Sequence, residues 1–370
     1  MDISEIIKSK LESIKELRRT LHENAEIAHK EFKTQKIIMD TLDKLEIKNY
    51  KCAETGVVGI LNEEEDCVAV RADIDALPVN GVSHVCGHDY HMTVALGTAM
   101  VLKEIGYKKG VKFIFQPAEE ADGGALPMIK EGVLENPKVK AVIGYHVWPE
   151  LPVGCVQAQG GPSMGSVDDF HIKIKGVGGH AAMPQHCKNP IMPAVDIIQS
   201  INLKSRNEID PLNSHIITFA ALSGGTASNV ITDEVLIKGT VRTFDNDLRY
   251  KLADMIEKTS KLCAEKYDCS AEVDYLFEYP PLICHEELSE RFAKASKRIL
   301  GEENVLPVEK TFAGEDFAFF AQEVPSVHFR LGIAKGEKGI HPLHSPNFTA
   351  DEDALYYGIY SVVNFIVSEM

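Results

Sequence analysis

Apolar residues recur at helical spacing through the first forty-five positions, as Ile6, Leu11, Ile14, Leu17 and Leu21, then Ile37, Ile38, Leu42 and Leu45. Two amphipathic helices are predicted there, because positions three and four apart share one face. The pattern then changes to short apolar runs, Cys67 to Ala72, Val111 to Phe115 and Ala141 to Tyr145, which read as buried strands. Between the first two, Met92, Ala95, Leu96, Ala99 and Leu102 share a helical face closed by Gly106. Strands alternating with helices predict an α/β fold with a mostly parallel sheet.

Beyond GGPSMGS near residue 160 the rhythm differs: strand 170–175, helix 190–205, strands 215–222 and 235–244, helix 247–267, strand 271–277. This β-α-β-β-α-β order is that of a ferredoxin-like unit. Pro280-Pro281 ends it, and a helix over 286–300, a strand over 326–331 and a helix over 351–367 resume the first pattern. A discontinuous α/β domain, 1–165 and 280–370, is therefore expected to carry an inserted domain at 166–279. The acidic run Glu63 to Asp66 is expected at a solvated hairpin tip.

In a parallel sheet, reactive groups belong beyond the carboxyl ends of the strands. Asp73 and Asp75 follow the first strand, Glu119 and Glu120 the second and His146 the third, while Cys86, His88, Asp89 and His91 stand in the loop CGHDYH. Thiolate, imidazole and carboxylate delivered to one sheet edge suit divalent transition metals. Gly87 permits the tight backbone that would let Cys86 and His88 reach one site. His91 is expected to support that loop, and His341 and His344 compete for one role. His22, His29, His171, His186, His215, His285 and His328 lack such neighbours and are assigned to packing or surface. Ser163 in GPSMG matches the nucleophile elbow of serine hydrolases, yet that motif needs a strand, a turn and a helix, and SVDDFHIKIKG alternates like a strand. Two further rival readings are a Cys86 nucleophile and a protein that binds amino-acid derivatives without hydrolysing them.

Composition narrows the partners. Lys and Arg number 39 against 55 Asp and Glu, a formal charge of −16, which repels phosphate backbones and anionic lipid and so excludes nucleic acid and membrane surfaces. The N-terminus is charged where a signal peptide is apolar, so a cytoplasmic protein is expected. Eight scattered cysteines read as thiols of a reducing compartment.

The segments RADIDALP (71–78), VCGHDYHM (85–92), FQPAEEADGGA (115–125), GYHVWPELPVG (144–154), GVGGHAAMP (176–184), GGTASNVI (224–231), GTVRTF (239–244) and AGEDFAFF (313–320) resemble the dinuclear metal-dependent amidohydrolases. That group includes hippurate hydrolases, indole-acetyl amino acid hydrolases, N-acyl amino acid deacylases and N-acetyldiaminopimelate deacetylases. The resemblance implies two divalent ions per subunit (Zn, Mn, Co or Ni), held by Cys86 as bridge, His88, Glu120, His146 and His344. It further implies Glu119 as the base that activates a water between the metals, Asp75 as the carboxylate orienting the site, and His180 reaching the substrate carbonyl from a neighbouring subunit. Asn229 and Arg242 match positions near the substrate carboxylate. The implied reaction is hydrolysis of an N-acyl amino acid amide, N-acetyldiaminopimelate included, by a homodimer or dimer of dimers joined through the insertion. The same resemblance implies that the discontinuous domain is catalytic and the insertion its lid or dimerisation domain. The wider superfamily has HxD where this chain has Asp73-Ile74-Asp75, so Asp73 is not assigned as a ligand. Pro78 to Cys86 is shorter than the loop such relatives carry.

Overall fold

The computed structural model describes residues 2–370. The first stretch runs α1 (Ile3–Glu23), α2 (Phe32–Lys44), β1 (Lys48–Cys52), β2 (Gly56–Leu61), β3 (Asp66–Asp73), α3 (His88–Glu104), β4 (Gly110–Gln116), α4 (Ala125–Lys130), β5 (Lys138–Pro152), β6 (Val156–Gln157) and β7 (Gly161–Met164). The central stretch runs β8 (Val167–Lys175), β9 (Gly179–His180), α5 (Ile191–Glu208), β10 (His215–Ser223), β11 (Val230–Ile231), β12 (Glu234–Thr243), α6 (Asn246–Glu265) and β13 (Ser270–Tyr279). The chain closes with β14 (Leu282–Cys284), α7 (Glu286–Leu300), β15 (Val305–Leu306), α8 (Ala318–Glu323), β16 (Ser326–Ala334) and α9 (Ala354–Glu369). Two compact units result, one of 1–163, 283–309 and 316–370, the other of 164–282 and 310–315. Among the described residues no helix is long and apolar enough to cross a membrane.

The larger unit is built on an eight-stranded sheet in the order β1-β2-β4-β3-β5-β16-β6-β15. Strands β4, β3, β5 and β16 are mutually parallel, so their carboxyl ends open on one edge. β3 is buried on both faces after its first residue, as a central parallel strand requires. Ile7, Ile14 and Leu21 of α1, Leu96 of α3 and Ile359 and Val363 of α9 join the core on one face. On the other, Phe317 ahead of α8 packs against the His328 ring of β16, with centroids 5.2 Å apart. The antiparallel pair β1–β2 had no strand signal in the half-exposed, charged KNYKC. The acidic run 63–66 is solvated but is no hairpin tip, because β4 lies between β2 and β3 in the sheet.

In the smaller unit the order β10-β12-β8-β13, with every neighbour antiparallel, is the ferredoxin-like arrangement expected from the element order. Alternate residues Phe170, Ile172 and Ile174 of β8 enter a core shared with Ala194, Ile197 and Ile201 of α5 and Leu252 and Ile256 of α6. Asp168 continues that inward row, and Arg249 of α6 meets it with Nη2 2.6 Å and Nε 2.8 Å from Oδ1. Removing one partner of so buried a pair strands the other charge. Asp168→Ala is therefore expected to lower unfolding free energy by about 3–5 kcal/mol in denaturant titrations, while Glu272→Ala, which breaks the exposed pair with Lys175, leaves the denaturation midpoint nearly unchanged. Equal effects would refute this assignment.

Candidate active site

α3 is preceded by its cap residue Gly87, whose φ of 83° lies in the left-handed region. A Cβ there would stand 2.3 Å from Val147 Cγ2, so only glycine lets the loop close on the end of β5. Cys86 and His88, on either side, thereby face the same carboxyl edge. His146 lies near the end of the buried run 141–147 of β5, and its Nε2 lies 3.4 Å from Cys86 Sγ. His344, at a φ of 65°, brings its Nε2 to 3.3 Å from Cys86 Sγ and 3.0 Å from Glu120 Oε1. Of the two C-terminal histidines, His344 is thus the one placed beside Cys86 and Glu120. Glu119 and Glu120 leave β4 after Ala118, whose backbone is also left-handed at a φ of 55°. Buried Glu31 holds that turn, with Oε1 accepting from Ala118 N at 3.0 Å and Oε2 from the Thr55 hydroxyl at 2.7 Å.

Ligand-type atoms converge in three overlapping groups, Cys86 with His88 and His146, Cys86 with Glu120 and His344, and His88 with Glu119 and Glu120. Within each group they lie within 4.8 Å of one another. His88 Nδ1 donates to the Asp75 carbonyl at 2.9 Å, so Nε2 is the nitrogen whose lone pair the neutral ring would offer to a cation. That nitrogen is buried without a hydrogen-bond partner, an arrangement that costs free energy unless an electron-pair acceptor fills it. Asp75 Oδ2 accepts from Glu120 N at 3.0 Å and so sets the direction of the second glutamate.

The electrostatics ask for positive charge. Burial, then the charges of Glu120 and Glu119, push the Cys86 thiol far above its ordinary range, so it ionises only beside a cation. Burial opposes the charge of His88, yet Asp73, Asp75 and Glu120 raise it to about 10. Burial likewise opposes the charge of Glu120, but His344 and His88 hold it down to about 2. A buried carboxylate cluster that draws protons onto imidazole fits divalent metal ions, which remove the same imbalance with the ligating nitrogens unprotonated.

Beneath the loops lies a group that motif reading passed over. Arg71, fully buried on β3, donates from Nε to Gln116 Oε1 at 2.8 Å, from Nη1 to Asp73 Oδ2 at 2.8 Å and from Nη2 to Asp316 Oδ1 at 2.7 Å. Asp316 in turn accepts from Gln116 Nε2 and from Ala125 N at the start of α4. Asp73 is thus engaged by the protein's own cation. RADIDALP and AGEDFAFF contain these residues, but their pairing spans 245 positions and leaves no local signal.

In the smaller unit His180 is exposed on β9, paired in register with Val230, and Ala181 N donates to the Asn229 carbonyl at 3.1 Å. His180 and Asn229 are therefore neighbours. Ala182 N donates to His180 Nδ1 at 3.1 Å, which assigns the proton of the neutral ring to Nε2. Arg242 lies apart from that pair, on β12 opposite Ile216. Ser163 is buried in β7, with another strand rather than a helix next, so the elbow geometry of a serine hydrolase is missing. Gly87→Ala is expected to lower stability by about 2–5 kcal/mol from left-handed strain and overpacking together, with metal content falling alongside. Unchanged unfolding and unchanged elemental analysis would sink that account.

Comparison with known proteins follows the same lines. The sequence profile of Peptidase family M20/M25/M40 matches residues 69–368. The chain is 38% identical over 365 residues to IAA-amino acid hydrolase ILR1-like 4 of Arabidopsis thaliana, covering 92% of this chain and 82% of that one. It is 36% identical over 357 residues to N-acetylcysteine deacetylase of Bacillus subtilis (strain 168), covering 92% of each. Among solved structures, the Bacillus subtilis YXEP protein, described as a dinuclear metal binding peptidase from the M20 family, superposes with a TM-score of 0.84 at 32% identity, covering 97% of this chain and 98% of that one. The chain belongs to Peptidase family M20/M25/M40 and is a metallo-amidohydrolase.

Proposed function

We propose that the protein hydrolyses the amide bond of N-acyl amino acids, releasing a carboxylate and the free amino acid, with Cys86, His88, Glu120, His146 and His344 holding two divalent cations. The observation that carries this reading is the convergence of those five side chains and Glu119 in overlapping groups, with His88 Nε2 buried and without a hydrogen-bond partner among the described residues. When bound, the cations supply Lewis acidity that polarises the amide carbonyl and acidifies water. Glu119 takes the proton of the attacking water and returns it to the departing nitrogen, the shuttle that lets an amine leave. Asp75, through the Glu120 amide, keeps the neighbouring carboxylates in register. His180, with its ring proton on Nε2, donates to the developing oxyanion, contributed by the neighbouring subunit of a homodimer that pairs through the inserted unit 166–279 acting as a lid. Asn229, beside His180, and Arg242 recognise the substrate carboxylate. The acyl-amino acid named in the Bacillus relative and the conjugates named in the Arabidopsis relative support this substrate class. The native ion is drawn from Zn, Mn, Co and Ni, and the setting is the cytoplasm.

Chelation is expected to abolish release of free amine from N-acetyl, N-benzoyl and N-acetyldiaminopimelate substrates, with recovery on adding one of these metals. Glu119→Gln should keep its metals by elemental analysis while kcat falls about a hundred- to ten-thousand-fold; full turnover by that variant overturns the mechanism. Cys86→Ser and His146→Ala should lose metal stoichiometry. For His180→Ala a kcat loss of about a hundred- to a thousand-fold is expected, and steady-state kinetics with an unchanged kcat would remove that residue from the reaction.

A further inference from the structure

Asp73, His88 and His91 form another buried group whose ligand-type atoms lie within 4.8 Å of one another, the same spacing that marks the groups around Cys86. Its hydrogen bonds give it a different task. The backbone N–H of Val147 donates to His91 Nε2 at 2.9 Å. An N–H can only donate, so Nε2 spends its lone pair on that bond and the ring proton sits on Nδ1. Nδ1 then donates to Asp73 Oδ1 at 2.5 Å, while the other oxygen of Asp73 accepts from Arg71. Both ring nitrogens are committed, and neither is open to a cation.

The other end of this ring explains its use. Val147 directly follows His146, and its carbonyl accepts from His146 Nδ1 at 2.6 Å, which puts the lone pair on Nε2, the nitrogen that lies beside Cys86 Sγ. The Val147 side chain is also the one that Gly87 leaves room for. On the near side of His146, the Tyr145 hydroxyl donates to the His91 carbonyl at 2.9 Å. His91 therefore grips β5 immediately before and immediately after His146, and its ring stands 4.6 Å from that of His146 between centroids. We propose that His91 is a positioning residue of the metal centre, a tautomer-locked clasp joining α3 to β5 that holds His88, one turn earlier on α3, in register with His146. It rests on the reading of His88 and His146 as ligands.

The test uses the full-length protein with isotope-labelled histidine, loaded with cadmium alone. Nuclear magnetic resonance is expected to show coupling to cadmium at His88, His146 and His344, and none at His91, whose ring reports an Nδ1 proton before and after loading. In parallel, His91→Leu should weaken metal binding about 10- to 100-fold in chelator competition, with kcat reduced, KM nearly unchanged and activity restored by excess metal. His91→Gln retains an acceptor for the Val147 N–H and should recover part of the affinity, and it carries the comparison if the leucine variant does not fold. Cadmium coupling at His91 would make it a ligand and overturn the proposal. Unchanged affinity in the variants, with wild-type turnover still metal-dependent, would overturn the clasp alone. Absence of coupling at every histidine would overturn the ligand reading and the clasp with it.

Discussion

The fully buried guanidinium of Arg71 ties together the ends of the strands that carry the chemistry. Its three donor positions reach Asp73 at the end of β3, Gln116 at the end of β4 and Asp316 ahead of α8, and Asp316 continues to the first turn of α4. A charge so far from water is tolerated only where every donor is used and opposite charge is near. Burial and Arg71 compete at Asp316, where burial prevails and pushes the carboxyl above its usual range, whereas at Asp73 the surrounding His88, His91 and Arg71 outweigh burial and hold it well down. The cluster is therefore an interior cation with its counter-charges, on which the loop positions depend.

From that base the loops inherit their direction. Asp75 stands two residues beyond Asp73 and sets the Glu120 amide; Glu119 stands three beyond Gln116 and is steadied by the Glu31 grip on Ala118; His88 stands one helical turn before His91, which in turn holds the peptide next to His146. Left-handed backbone at Gly87, Ala118 and His344 lets each loop turn back sharply toward a common point. Strain of this kind persists where surrounding contacts over-determine it, and it clusters where groups must converge. Asp89 adds an outer anchor, accepting from Arg18 and His22 of α1, so the loop that carries Cys86 and His88 is pinned from both sides.

Much of this was legible in the chain. Helical and strand periodicities located the long elements, and the order of elements in the insertion matched the sheet that forms. Strand β1 was not legible, because KNYKC is short and carries two lysines; it becomes a strand by pairing with the buried run GVVGIL of β2, which is itself paired to β4. The same reason turned the acidic run 63–66 from a hairpin tip into a crossover: strand adjacency is a property of the assembled sheet, and β4, arriving some forty residues later, takes the place beside β2.

By itself the sequence determined the ligand types, their delivery from strand ends, the ferredoxin-like order and the resemblance to a metal-dependent amidohydrolase, since these depend on local period, composition and short motifs. Only the tertiary structure decided that Asp73 serves Arg71 and His91, and which nitrogen of His91 carries the proton. Apart from the Arg71–Asp73 pair within β3, the bonds involved join residues of different elements, and two of the pairs that frame the site are also remote in the chain, 258 positions for His344 and Cys86 and 245 for Arg71 and Asp316. A side chain's chemistry is written in its own letter, but the partner that assigns its proton, charge or ligand is chosen when the strands assemble.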